Sequence, residues 1–139
     1  MESVFNAYSQ YYDLLYKDKN YIEESDYIKS ILASHNLLKG DLLEFGSGTG
    51  KHGCLLARSG YKVHGIERSA TMIAKAQKVT GFSCQKGDIS KIKMNRFYDA
   101  ILSLFHVVSY QTTNNELQAV FTNATLHLNK GGLFVFDFW

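Results

Sequence analysis

The chain predicts an α/β fold: a doubly wound parallel sheet of five strands in the order 3-2-1-4-5, with helices on both faces. Three observations carry this expectation. Short apolar runs alternate with segments of helical periodicity along most of the 139 residues. The stretch Asp41-Leu-Leu-Glu-Phe-Gly-Ser-Gly-Thr-Gly50 runs an apolar strand into a turn with glycines at positions 46, 48 and 50. Acids stand where the first three strands finish, at Glu44, Glu67 and Asp88. Right-handed crossovers and a glycine corner on the first strand favour that strand order, and place ligand groups at the carboxyl ends of the strands.

Residues 1–21 are dense in tyrosine (Tyr8, Tyr11, Tyr12, Tyr16, Tyr21). They read either as a helix packed on the side of the domain or as a lid that brings phenols over a ligand. From about Ile22 to His35, Tyr27, Ile28, Ile31 and Leu32 fall at helical spacing, with Glu23, Glu24 and Asp26 near the positive end of the helix dipole. Leu42–Phe45 is the first strand. A helix over Lys51–Ser59 follows the glycines and stops at Gly60. Tyr61–Ile66 is the second strand, ending on Glu67. Ser69 can cap a further helix carrying Met72, Ile73 and Ala76, which Gly81 ends. Phe82–Gln85 is a weak third strand and Tyr98–Ser103 an apolar fourth. Thr113 and Glu116 form a capping box for a helix with Leu117, Val120, Phe121, Ala124 and Leu128 on one face, which Lys130-Gly-Gly132 ends. Leu133–Phe136 is the fifth strand. The whole reads as one domain, 1–139, with residues 1–36 as an N-terminal helical lid segment and 37–139 as the core.

Composition narrows the partners. A net charge of +2 with scattered lysines gives no basic stripe for nucleic acid. No run approaches the ~20 apolar residues of a membrane span, and Met1-Glu-Ser-Val-Phe lacks the features of a secretory signal. Cys54 and Cys84 have no metal-type spacing, so no metal is expected, and a reducing cytoplasm is the default.

The glycine corner admits more than one ligand. Gly48-Thr-Gly50-Lys-His-Gly53 fits G-x-G-x-x-G, so an NAD-dependent oxidoreductase stays open on pattern alone. The tight turn, however, begins at Gly46, two residues after Glu44. The result is an acid-x-G-x-G-x-G sequence, with further acids ending the second strand (Glu67) and following the third (Asp88). In this pattern, and in the Leu-Asn-Lys-Gly-Gly-Leu-Phe-Val turn before strand five, the chain resembles class I S-adenosylmethionine (SAM)-dependent methyltransferases along essentially its whole length. Tyr12-Asp-Leu-Leu-Tyr16, Lys19-Asn-Tyr21 and Phe105-His-Val-Val-Ser-Tyr110 look closest to the subgroup of small-molecule methyltransferases that includes N-methyltransferases of nucleotide-linked sugars.

That resemblance implies a Rossmann-like domain binding SAM and releasing S-adenosylhomocysteine (SAH), with a small-molecule acceptor bearing an amine or hydroxyl. It implies that Gly46 and Gly48 let the backbone approach the methionine part, that Glu44 and Ser47 belong to the same cofactor site, that Glu67 holds the ribose hydroxyls, and that Asp88 with the Ile89 amide contacts the adenine. Arg68 and Met72 flank the same site, and the Leu104 carbonyl faces the SAM amino group. Tyr16 is implied near the transferred methyl. For catalysis the candidates are His106 as a base, or else a packing histidine, and Tyr16 and Tyr110 as orienting phenols. Class I enzymes continue past strand five with two more strands, the last antiparallel. Here the sequence reaches Trp139 without those C-terminal strands. The expectation is an intact cofactor pocket, with a catalytically impaired SAM-binding module or a truncated fragment as the alternative. An exposed apolar strand-five edge is expected to favour a homodimer.

Overall fold

The computed structural model describes residues 21–104 and 113–137. The tyrosine-rich segment of residues 1–20, with Tyr16, and the segment holding His106 and Tyr110 lie outside the described residues.

The elements run α1 (Tyr21–Ser34), β1 (Asp41–Phe45), α2 (Lys51–Arg58), β2 (Lys62–Glu67), α3 (Ala70–Lys75), β3 (Phe82–Lys86), β4 (Tyr98–Ser103), α4 (Asn114–Leu126) and β5 (Leu128–Phe136). The five strands form one sheet in the order β3-β2-β1-β4-β5, every pair parallel. The expected fold class and strand order are therefore observed.

Side chains of β1 alternate between two cores, as a two-fold strand period requires. Leu42 packs with Ile28 and Leu32 of α1, Leu56 of α2, Val63, Ala100 and Leu102. Leu43 and Phe45 face the other way, onto Ile66, Ile101, and Val120 and Ala124 of α4. Central strands buried on both faces read as near-continuous apolar runs, which is why Leu42–Phe45 and Ala100–Leu102 look alike in sequence.

Two boundaries differ from the expectation. The helix capped by Ser69 ends at Lys75 rather than running towards Gly81. Ala76 is already extended, with φ −65° and ψ 137°. Beyond it Val79 packs on the α1/α2 core and its carbonyl accepts the Phe82 N–H at 3.0 Å, leading the chain into β3. A β-branched Val79-Thr80 pair suits that extended entry better than a helix.

Leu128 is not on the helix either. α4 stops at Leu126, and the His127 carbonyl accepts the Tyr98 N–H at 2.8 Å, drawing the chain straight into the sheet. Leu128 pairs with Tyr98, and the next pairing is Leu133 with Ala100. Residues 129–132, of which Lys130–Gly132 were expected to end the helix, instead bulge out within β5, with Gly131 at φ 79°. The far edge of β5 pairs with no other described strand, and Leu133, Phe134 and Val135 are half-buried.

Candidate functional site

The carboxyl ends of β1, β2 and β3 are knotted together by main-chain hydrogen bonds around Glu67. The chain leaves β1 through three glycines with positive φ, 73° at Gly46, 59° at Gly48 and 80° at Gly50. Only glycine adopts such a succession without strain. The Gly46 and Ser47 N–H groups donate to the Ile66 carbonyl at 2.8 Å and 3.2 Å. Glu67 then grips both sides of the corner: Oε1 accepts the Gly48 N–H at 2.9 Å, and Oε2 accepts the Ser69 N–H at 2.8 Å. Its main-chain carbonyl accepts the Gly87 N–H at 3.0 Å, which ties in the end of β3. The buried Ser69 caps α3 through its hydroxyl, as expected from sequence, and buries Met72 behind it.

Around this corner lie buried polar atoms that no described residue satisfies: Glu44 Oε1, Ser47 Oγ, Thr49 Oγ1 and Ser103 Oγ. Such atoms cost free energy unless a partner meets them. Glu44 is 2% exposed. Burial, reinforced by the negative charge of Glu67, pushes its carboxyl up to about 8. Leu104 is buried at the end of β4, and Arg68 is exposed beside Glu67.

Asp88 stands two residues beyond β3. Its Oδ1 accepts from the Ser90 N–H at 2.9 Å and the Ser90 hydroxyl at 2.7 Å. Burial works to raise its pKa, but the Ser90 bonds and the nearby Arg68 and Lys91 charges outweigh that and hold it below its ordinary value. The structure thus brings Glu44, Gly46, Ser47, Gly48, Glu67, Arg68, Met72, Asp88, Ile89 and Leu104 to the same end of the sheet.

Sequence reasoning missed several contacts here. A Cβ on Gly65, in the middle of β2, would lie 2.4 Å from Ser47 Cβ and Oγ. Strand two therefore makes room for the corner of strand one, and a glycine inside an apolar strand is the signal that would have shown it. A Cβ on Gly53 would lie 2.4 Å from the Phe82 ring and 3.0 Å from Glu44 Oε1. Gly53, the last glycine of the G-x-G-x-x-G spacing, is thus required by the close packing of α2 on the sheet. His52, buried in the first turn of α2, meets Glu24 Oε1 at 2.8 Å and the Tyr21 ring edge-on at 5.0 Å, joining the start of α1 to the glycine corner. Two shallow clefts, of about 330 and 400 Å³, lie instead against α4, between Ser90–Lys93 and Asn115–Leu126 and beside Arg96 and Phe97. The first of them is lined by Ser90, whose bonds to Asp88 set it beside the loop that follows β3.

A parallel 3-2-1-4-5 sheet with an acid-bearing glycine corner defines the class of nucleotide-type cofactor folds. Residues 42–132 match the methyltransferase domain family, and the chain belongs to that family of SAM-dependent methyltransferases. It is 30% identical over 131 residues to the dTDP-3-amino-3,4,6-trideoxy-α-D-glucopyranose N,N-dimethyltransferase of Streptomyces venezuelae, covering 92% of this chain and 55% of that protein. The SAM-bound amino pentose methyltransferase of Micromonospora echinaspora, involved in calicheamicin biosynthesis, superposes with a TM-score of 0.85 at 27% identity. That match covers 92% of this chain and 56% of the other. A sugar N-methyltransferase from Streptoalloteichus gives a TM-score of 0.83, also at 27% identity, over 92% of this chain and 53% of that one. The chain spans about half the length of these relatives. Among the described residues no helix is long and apolar enough to cross a membrane.

Proposed function

We propose that this chain forms the SAM-binding part of a methyltransferase whose acceptor is an amine, or else a hydroxyl, of a small sugar-like molecule. The observation that carries the reading is the glycine corner itself: positive-φ glycines, a Glu67 carboxylate held by two backbone N–H groups, and a set of buried polar atoms that no described residue satisfies. These residues fit SAM. Each Glu67 oxygen retains a lone pair for a ribose hydroxyl. Asp88 and the Ile89 N–H suit the adenine edge, with Met72 and Arg68 alongside. The glycines let the main chain approach the methionine part, where Glu44, Ser47 and the Leu104 carbonyl supply polar groups.

Bound SAM would supply an electrophilic methyl on a sulfonium. The protein's own part is alignment and exclusion of water. Tyr16 and Tyr110 orient the acceptor, and His106 takes its proton where the acceptor carries one to lose. The sugar N-methyltransferases among the relatives support the acceptor class. The two free thiols support a reducing, cytoplasmic setting. The edge of β5 that pairs with no other described strand, carrying half-buried Leu133, Phe134 and Val135, supports pairing with a second copy when the chain stands alone.

Calorimetric titration with SAM, SAH and NAD tests the cofactor: micromolar binding of SAH with none of NAD is expected, and the reverse would refute it. A methyl-transfer assay with amino-sugar nucleotides tests the acceptor class.

A further inference from the structure

The loop carrying Asp88 and Ile89 makes a turn of its own but does not fix its own position. The Lys91 and Ile92 N–H groups donate to the Asp88 carbonyl at 3.0 Å and 2.8 Å. In a planar trans peptide the N–H points opposite to the carbonyl it is bonded to. With the Asp88 carbonyl turned into the loop, the Ile89 N–H therefore points out of it.

Helix α4 reaches across to hold this turn. Asn123 is 1% exposed, on the same inward face as Val120 and Ala124. Both N–H groups of its side-chain amide donate to loop carbonyls, to Ile89 at 2.9 Å and to Ile92 at 3.0 Å. Its Oδ1 accepts from Lys93 Nζ at 3.1 Å. The Asn123 carbonyl is engaged as well, by His127 Nδ1 at 2.7 Å, while His127 Nε2 faces the Met94 N–H at 3.0 Å. A carbonyl can only accept and an N–H only donate, so His127 is the neutral tautomer with its proton on Nδ1. The helix thus grips the loop at residues 89, 92, 93 and 94. Carbonyls on both sides of the Ile89 N–H are fixed, that of Asp88 by the turn and that of Ile89 by Asn123.

We propose that Asn123 is a positioning residue for the adenine end of the cofactor site, holding the Ile89 N–H and the Asp88 carboxylate in the one orientation in which an adenine edge meets both. The proposal rests on the assignment of Asp88 and Ile89 to adenine made above. The side chain suits this role: aspartate has no donor for the two carbonyls, serine has one, and glutamine carries its amide a methylene further from the helix than the Ile89 and Ile92 carbonyls stand.

The test uses the 139-residue chain and the variants Asn123→Asp, Asn123→Ser and Asp88→Ala, with calorimetric affinity for SAH and for adenosine and melting temperature measured side by side. Asn123→Asp should weaken SAH and adenosine by the same factor, about tenfold, because the loss is confined to the adenine end. Asn123→Ser should fall between it and the parent. The Asp88→Ala/Asn123→Ser double variant should lose less than the product of the single losses, since both act on one contact. A lowered melting temperature with unchanged SAH affinity would reduce Asn123 to a structural clasp and overturn the proposal. A loss for SAH with none for adenosine would place its effect elsewhere and overturn it too. If Asp88→Ala leaves SAH affinity unchanged, the adenine assignment fails and the proposal with it. If Asp88→Ala weakens binding and the Asn123 variants do not, the assignment stands and the proposal alone falls. Should the Asn123 variants not fold, amide exchange on the parent decides: adenosine must slow exchange at Ile89, and an Ile89 amide that exchanges as fast with adenosine as without it refutes the positioning.

Discussion

Replacing Glu44 by Gln should change how the protein's stability depends on pH. The carboxyl has an ordinary value of 4.5 and is raised to about 8 by burial, and secondarily by Glu67. Between these values the folded chain holds the Glu44 proton and the unfolded chain does not. Where the native state binds more protons, stability falls as pH rises. The contribution is therefore intact below about 4.5 and erodes up to about 8, by at most about 1.4 kcal/mol per pH unit. Over the whole window the loss is on the order of a few kcal/mol, a large fraction of a small domain's stability. Glu44→Gln keeps the shape and removes the titration. Urea unfolding of both proteins, without cofactor, at about pH 5 and about pH 8 measures the difference directly. The parent should lose several kcal/mol relative to the variant on going to the higher pH. Asp88, whose lowered value acts in the opposite sense as pH falls, is present in both proteins and cancels in the comparison. Parallel stability profiles for the two proteins would show that Glu44 is not a buried, proton-holding acid.

Three further outcomes are expected. Glu67→Ala should weaken SAH binding tenfold or more by calorimetry, and Glu67→Gln, which keeps one acceptor, should weaken it less; unchanged affinity would remove Glu67 from the site. Gly65→Ala should destabilise the fold by about 1–3 kcal/mol in urea unfolding by driving a Cβ into Ser47, and Ser47→Gly in the same chain should restore most of it. His106→Ala and Tyr16→Phe should leave SAH affinity close to the parent's while lowering turnover on the true acceptor, for His106 by about a hundredfold if it removes the acceptor's proton. Full turnover by the His106 variant would leave it a packing residue.

The strand order and the glycine corner were legible because they are written in local signals. Apolar runs of strand length, a positive-φ glycine succession after Phe45, a Ser69 cap and the Thr113/Glu116 box each act within a few residues. The end of α3 and the bulge in β5 were not legible, because each is decided by a partner far along the chain. Val79 leaves helix to reach the α1/α2 core, and the His127 carbonyl leaves helix for the N–H of Tyr98. The acids stand at the strand ends where the sequence sets them, Glu44 and Glu67 in the last residues of β1 and β2 and Asp88 two residues beyond β3. Their states were hidden, since the pKa of Glu44 depends on what encloses it and on Glu67 across the sheet. Gly65 and Asn123 did leave a trace, a glycine inside a strand and an asparagine on the apolar stripe of a helix. Each is a residue at odds with its own element's pattern, and each is explained by a loop on a neighbouring element.

The two backbone bonds on Glu67 bear on the entropy of recognition. A glutamate side chain that is free in solution gives up on the order of 1–2 kcal/mol of rotamer freedom when a ligand pins it. Here the Gly48 and Ser69 N–H groups have already pinned it, so that loss falls on folding rather than on binding. A ribose bound at this carboxylate, as proposed above, would meet acceptors that stand still, and the free energy of its hydroxyl contacts would appear in affinity with little deduction. The same arrangement makes one side chain answerable to two masters. Any substitution that frees the carboxylate also frees the turn it clamps, so the shape of the corner and the hold on its ligand would be lost together.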